Sequence, residues 1–208
     1  MHTTITHRFS SLLRRAALAV ALAAGAGLAM AGTVRVAIDT STFGAPSGYL
    51  DMQLSASSGV PLATALVTNM VGFDSSAFID AFGVTPVAGG YLFRNDTSND
   101  LFHAVNFGGI LSFDLSFAGE PDPLTSYQSR FLVSAFDDNI VPMGEYDPVT
   151  GGLAEFTWTP ALSAGGVASV AIDVADANVT VVSEPSDALL MGAGLAAMAF
   201  IRRRRSLG

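Results

Sequence analysis

Residues 110–117 read Ile-Leu-Ser-Phe-Asp-Leu-Ser-Phe, an alternation of apolar and polar side chains with a period of two. In an extended strand successive side chains point to opposite faces. Leu111, Phe113, Leu115 and Phe117 therefore share one face, and Ser112, Asp114 and Ser116 share the other. The same period recurs along the chain. Val34, Val36 and Ile38 alternate with outward Arg35 and Asp39, and Leu50, Met52 and Leu54 form a buried row. Phe156 and Trp158 alternate with Glu155 and Thr157, and Val170, Ile172 and Val174 are expected to point inward. Further apolar runs lie at residues 65–73, 90–93, 101–107, 131–136 and 179–182. Turn-forming clusters separate them: residues 44–48, 89–90, 95–100, 108–109, 119–123, 151–152 and 165–166. Roughly ten short strands with one solvated face each predict an all-β fold, an antiparallel β-sandwich of jelly-roll type. One short helix is expected at residues 75–82, with Asp74 capping its start and Gly83 its end. No internal repeat of fixed period interrupts this pattern.

The charges are segregated. Arg8, Arg14 and Arg15 precede one apolar run and Arg202, Arg203, Arg204 and Arg205 follow another. Residues 32–183 hold three basic residues, Arg35, Arg94 and Arg130, against 16 acidic ones, a net charge of −13. Nucleic-acid binding needs clustered cations to displace counterions from phosphate, so an acidic body of this kind excludes it. The chain has no cysteine. Disulfides, thiolate metal sites and cysteine nucleophiles are thereby removed together, and the body must hold itself with an ordinary apolar core. A domain of about 150 residues buries roughly two-thirds of its unfolded surface, which suffices without cross-links.

The two ends carry address signals. At the N-terminus, basic residues come first, then an apolar run of about 13 residues at 16–28, then Ala29-Met30-Ala31. Small residues at Ala29 and Ala31 give the pattern cut by signal peptidase, so residues 1–31 are expected to be a signal peptide containing a short helix. The C-terminal apolar run, residues 188–201, would span about 21 Å as a helix, short against a hydrocarbon core of about 30 Å. The arginines behind it predict a cytoplasmic C-terminus. Gly192, Gly194, Ala196 and Ala197 permit close approach of another helix.

Glu184, Pro185 and Ser186, followed by the apolar helix and then by Arg202–Arg205, resemble a PEP-CTERM sorting signal. Ser183 stands where that family usually carries proline. The match covers residues 184–208, with a transmembrane helix at about 188–201 and the arginine cluster at 202–205. The resemblance implies recognition and cleavage near the Pro-containing motif by exosortase, a membrane-embedded enzyme of Gram-negative bacteria that make exopolysaccharide. It also implies an exported protein, anchored transiently in the inner membrane through its C-terminal helix and then released to the cell surface or the extracellular matrix. Residues 32–183 form the ectodomain between the two signals. Their apolar pattern resembles, more loosely, the β-rich ectodomains of that family. The body is expected to be non-enzymatic and to need no cofactor, with extracellular polysaccharide as its partner. A carbohydrate-binding module, with or without calcium, is the alternative, and a glycan-active enzyme is a third reading.

The chemistry within the body is sparse. His103 is the only histidine after residue 7, and it shares a face with Leu101, Val105 and Phe107, which makes it a structural strand residue. No G-x-S-x-G elbow accompanies it, so a hydrolytic triad lacks its nucleophile, and one histidine is too few for zinc. No catalytic residue is assigned. Asp137, Asp138, Asn139, Glu145 and Asp147 crowd one loop, and Asp96, Asn99 and Asp100 crowd another. Such oxygen ligands suit Ca²⁺, but neither loop has EF-hand spacing, and Asp and Asn also favour turns through side chain to backbone bonds. No metal site is therefore assigned, with Asp137, Asp138, Glu145 and Asp147 as the weak calcium candidates. For sugar stacking the aromatic candidates are Trp158, Tyr91, Tyr127 and Tyr146, with Trp158 placed in the core by its alternation.

Overall fold

The structure, a computed structural model, describes residues 29–183 apart from 31, 56, 75 and 125. Thirteen strands run along the chain: β1 (Ala29–Met30), β2 (Val34–Asp39), β3 (Ser47–Leu54), β4 (Ala63–Val71), β5 (Ile79–Phe82), β6 (Thr85–Val87), β7 (Gly90–Arg94), β8 (Asp100–Asn106), β9 (Ile110–Gly119), β10 (Ser129–Asp137), β11 (Ala154–Thr159), β12 (Ser169–Val174) and β13 (Val179–Ser183). They form two antiparallel sheets. One has the order β13-β2-β9-β4-β7-β6, with β1 pairing β9 beyond the start of β2, and the other has the order β12-β11-β10-β3-β8-β5. There is no helix among the described residues.

The alternation read from the sequence explains why two sheets face each other. Val34, Val36, Ile38, Leu50, Met52, Leu54, Leu111, Phe113, Leu115, Phe117, Phe131, Phe156 and Trp158 are all buried in one continuous apolar cluster. The cluster joins the sheets directly. Phe131 on β10 meets Phe93 on β7 edge to face at 5.1 Å, and Phe117 on β9 at 6.2 Å. Gly119 lies where β9 passes Trp158, and any Cβ at that position would strike the indole and the Leu62 carbonyl. Glycine is required there by close approach.

Three expectations are corrected. Residues 75–82 do not form a helix. Asp74 caps, but what it caps is a single turn: its Oδ1 accepts from the Ser76 N–H at 2.8 Å and its carbonyl from the Ala77 N–H at 3.0 Å. The chain then extends as β5, because Ile79 and Ala81 gain partners along β8. Tertiary pairing overrides a capping signal that is equally good for a turn. Gly83 (φ +63°) ends the strand, and a side chain at that position would meet the Ser98 carbonyl. The second correction concerns β12. Val170 is half-buried, but Ile172 and Val174 are 39% and 37% exposed, because β12 is an edge strand that only β11 covers. The third is that the outer faces are not uniformly solvated. Asp51, Ser112, Asp114 and Ser134 lie on them and are nonetheless buried.

On the first sheet the outer face is closed by charge pairing. Arg35 Nη1 donates to Asp114 Oδ1 at 2.7 Å and Nη2 to Ser112 Oγ at 2.9 Å, while Asn69 Nδ2 donates to Asp114 Oδ2. Asn69 reaches that position from an irregularity in β4 between Thr68 and Val71, where its φ is +50°. Between the sheets, Asn95 is completely buried and satisfies three groups at once. Its Oδ1 accepts from the Ala63 N–H at 2.8 Å, and its Nδ2 donates to the Pro61 carbonyl at 3.0 Å and to Ser129 Oγ at 3.2 Å.

Replacing Asn95 by Ala strands those groups without solvent. Asn95→Ala should lower unfolding free energy by about 2–4 kcal/mol in a denaturant titration. Asn139→Ala, in an exposed turn, should shift the midpoint far less.

Candidate functional site on the outer face of the six-stranded sheet

The outward residues of β10, β3 and β8 form an unusual surface. Tyr49, Asp51 and Gln53 project from β3, Asp100 and Phe102 from β8, and Arg130, Leu132, Ser134 and Phe136 from β10. Register brings them together: Asp51 lies opposite Phe102 on one side and Ser134 on the other. Tyr49 stacks on Phe102 with ring centroids 4.4 Å apart, and Phe136, opposite Tyr49 in register, has its ring centroid 6.0 Å from that of Phe102. Asp51, opposite Phe102 in register, is 7% exposed.

Asp51 and Asp100 interact as a carboxyl pair. Asp51 Oδ2 accepts from Gln53 Nε2 at 2.9 Å. The Oδ1 atoms of Asp51 and Asp100 are both buried, and neither receives a hydrogen bond from any donor among the described residues. Burial, followed by the hydrogen bond and the charge of Asp100, pushes the Asp51 carboxyl up to about 8, against a smaller lowering by the Gln53 amide. Two carboxyl groups in contact cannot both ionise cheaply, so Asp51 holds its proton well above the usual carboxylate range.

Beside the pair runs a groove of about 460 Å³, lined by Gln53, Ser55, Ser98, Arg130, Leu132, Val149, Thr150 and Glu155. It continues past Arg130 and Glu155 into a second hollow of about 360 Å³ that adds Asp147 and Asp173. Arg130 lies 3.8 Å from Glu155, beyond hydrogen-bond distance, and is 58% exposed. The other two arginines of the body are tied closely, Arg35 to Asp114 and Arg94 to both carboxylate oxygens of Asp96. The groove thus presents an amide, hydroxyls, a guanidinium and a carboxylate along a sheet face, a lining that makes many directional hydrogen bonds.

The calcium candidates do not converge. Asp137 Oδ1 accepts from the Asn139 and Val141 N–H groups, both at 2.8 Å, and Asp147 Oδ1 accepts from Val149 and Thr150, also at 2.8 Å. These backbone donors hold both carboxylates below the usual range. Asp138 Oδ2 accepts from Ser47 Oγ at 2.7 Å, and the Glu145 backbone N–H donates to Asp176 Oδ2 at 2.8 Å. No group of three metal-ligating side chains gathers among the described residues. In the second acidic loop, Asp96 pairs with Arg94, and Asn99 is an internal clamp whose amide bonds both the N–H and the carbonyl of Leu54. Only Asp100 faces another carboxylate.

His103 is buried on the inner face, with Nδ1 2.8 Å from the Ala104 carbonyl and its ring edge-on to Phe73. It borders an apolar hollow of about 310 Å³ that also includes Tyr91. Trp158 is buried in the core as its alternation predicts, and its indole N–H has no acceptor among the described residues. Tyr127 is half-buried and Tyr146 is 45% exposed in a loop. Ser183 ends β13 opposite Val34 and is exposed. Ala29 lies in β1, opposite Gly119. Ala31, the rest of the expected signal peptide, Glu184, Pro185, Ser186, the expected helix at about 188–201 and Arg202–Arg205 lie outside the described residues.

The carboxyl pair makes stability depend on pH. The unfolded chain releases the Asp51 proton near 3.8, whereas the folded chain holds it to about 8. Proton binding therefore favours folding. This contribution is fully present below about 3.8 and is lost progressively as pH rises toward 8. Asp39, Asp74, Asp96, Asp137 and Asp147 have the opposite sense, and their contribution is lost as pH falls below about 4. The melting temperature should be highest in mild acid and fall toward pH 8, and Asp51→Asn should flatten that alkaline limb. Scanning calorimetry across this range measures both. Comparison with protein-family models, curated proteins and solved structures finds no match to this chain.

Proposed function

We propose that this chain is an exported, non-enzymatic surface or matrix protein that associates with extracellular polysaccharide. In this reading, signal peptidase frees the N-terminus after Ala31 and an exosortase processes the C-terminal tail. The two sheets are a sandwich of jelly-roll type that serves as a rigid carrier. The observation that carries the reading is the position of the tail. The last described strand, β13, ends at Ser183, and Glu184-Pro185 follows without a linker. Proline removes a ladder donor and restricts the residue before it, so Pro185 disfavours continuation of the strand and suits a segment that a protease takes in extended form.

The groove beside Gln53, Arg130 and Glu155 supports the polysaccharide association. Sugar hydroxyls donate and accept in fixed directions, and amide, hydroxyl, guanidinium and carboxylate groups match both roles. A neutral glycan suits the groove better than an anionic one, because the body carries a charge of −13 over residues 32–183. The Asp51–Asp100 pair does not favour glycoside hydrolysis. Glycosidase carboxyl groups stand roughly 5–9.5 Å apart with substrate or water between them, whereas these two share a hydrogen bond.

In an exosortase-bearing host, the native chain should lose its tail near Glu184-Pro185, whereas replacing Arg202–Arg205 by Ser should leave unprocessed or misoriented precursor. Intact mass of the exported protein reads both outcomes. A native chain that keeps its tail beside an active exosortase would reduce that segment to an anchor. For the glycan, affinity electrophoresis in gels cast with neutral or acidic polysaccharides should show retardation by a neutral one. Arg130→Ala together with Glu155→Gln should weaken it at least about tenfold if two directional bonds are lost.

A further inference from the structure

The geometry points to a hard divalent cation, Ca²⁺ by size and flexibility, binding between Asp51 and Asp100 with the Gln53 amide as a third oxygen donor. The inference concerns a different position from the groove and does not depend on polysaccharide binding. The first observation is that Asp51 Oδ1 and Asp100 Oδ1 are both buried and neither receives a hydrogen bond from any third group among the described residues, so that each carboxyl group has only the other beside it. Asp51 is more than nine-tenths buried, and no lysine, arginine or histidine forms an ion pair with either carboxylate among the described residues. Buried carboxylates require a proton, a donor or a cation; Gln53 serves Asp51 Oδ2, and for the two Oδ1 atoms only a proton or a cation remains.

The second observation is the placement of Gln53. Its Nε2 reaches Asp51 Oδ2 while the residue itself is exposed and lines the groove. Rotating the amide by a half-turn exchanges its nitrogen for its oxygen at nearly the same position. That supplies a neutral oxygen ligand from β3 beside two carboxylates from β3 and β8. Calcium takes six to eight oxygens in irregular geometry and tolerates water in the remaining positions, which the adjoining groove can provide. Mg²⁺ demands an octahedron at shorter distances and dehydrates reluctantly, so it fits less well.

The groups facing the pair are few. Ser134 faces it from β10 and Phe102 from β8. Phe82 of β5 lies opposite Asp100, and Asp80 lies opposite Phe102 with its side chain exposed. Only Asp80 adds charge, and its sign favours a cation. Proton and cation compete for the same two oxygens, so binding strengthens as pH rises.

The test uses the full chain, freed of metal by EDTA and dialysed, with CaCl₂ or MgCl₂ added at pH 8 and pH 5. At pH 8, Ca²⁺ at a hundredfold excess over its Kd should raise the melting temperature by roughly 5–10 °C. Mg²⁺ should do less, and the shift should shrink at pH 5. Asp51→Asn and Asp100→Asn should each abolish the calcium response. Tb³⁺ supplies an independent readout, since emission excited through the tyrosines should appear on binding near Tyr49 and be displaced by Ca²⁺. Two results would overturn the inference. One is no shift with Ca²⁺ at pH 8, which leaves a proton as the only occupant. The other is an equal shift in wild type and both Asn variants, which is general screening of an acidic surface.

Discussion

Phe131 is the point on which the two sheets hang together. It stands on β10, the strand that pairs β3 on one side and β11 on the other, and its ring meets Phe93 and Phe117 from the facing sheet. Phe156, 6.5 Å away on β11, extends the same contact within its own sheet. Edge-to-face aromatic contacts add about 0.5–1.5 kcal/mol each beyond the area they bury, and they fix orientation as well as distance. Nearly every other pairing presupposes this meeting, because few neighbouring strands are consecutive in the chain. Only β6-β7, β10-β11 and β11-β12 are joined by the next segment of sequence. The remaining ladders close over long loops and are rewarded only when the shared core forms. Such a topology folds slowly for its size.

The fold was legible where burial follows alternation. Val34, Leu50, Phe113 and Phe156 are inside because their neighbours are polar and their strands are central. It was illegible where a residue's surroundings come from distant sequence. Ile172 and Val174 have the same period as Val34 and Val36, yet edge position leaves them partly exposed. Residues 75–82 carry a helix-start signal at Asp74, but one Asx turn looks the same in sequence as the first turn of a helix. The acid pair was illegible for the same reason. Asp51 sits in a polar slot of its strand and reads as solvent-facing. Asp100 reads as a loop carboxylate. Their meeting depends on β3 lying beside β8, a neighbour relation between strands with four others between them in sequence. Glu155 was likewise visible only as an outward residue, and Arg130 only as one of three basic residues of the body, until β10 paired β11.

The two outer faces handle buried charge in different ways. On one, Arg35 neutralises Asp114, and Ser112 and Asn69 complete the hydrogen bonds. On the other, Asp51 and Asp100 form no ion pair among the described residues, and Asp51 lies opposite Phe102, whose ring stacks on Tyr49. A buried pair of opposite sign is insensitive to pH across the ordinary range, whereas a buried pair of like sign must take up a positive species from solution. The second sheet's stability is therefore set partly by what the surrounding medium contains.

The edge position of β13 has a mechanical consequence. Ser183 pairs with Val34, so the last described residue leaves the sheet at the same corner where β2 begins, and Gly32, Val34 and Ser183 line one shallow hollow there. Tension applied through the segment after Ser183 falls on the five register pairs between β13 and β2. A pull along the strand axis loads all five together in shear, while a sideways pull peels them one at a time. The molecule is thus sturdy against force in one direction and weak in another, and the strand that would feel it first adds only Val179 to the buried core.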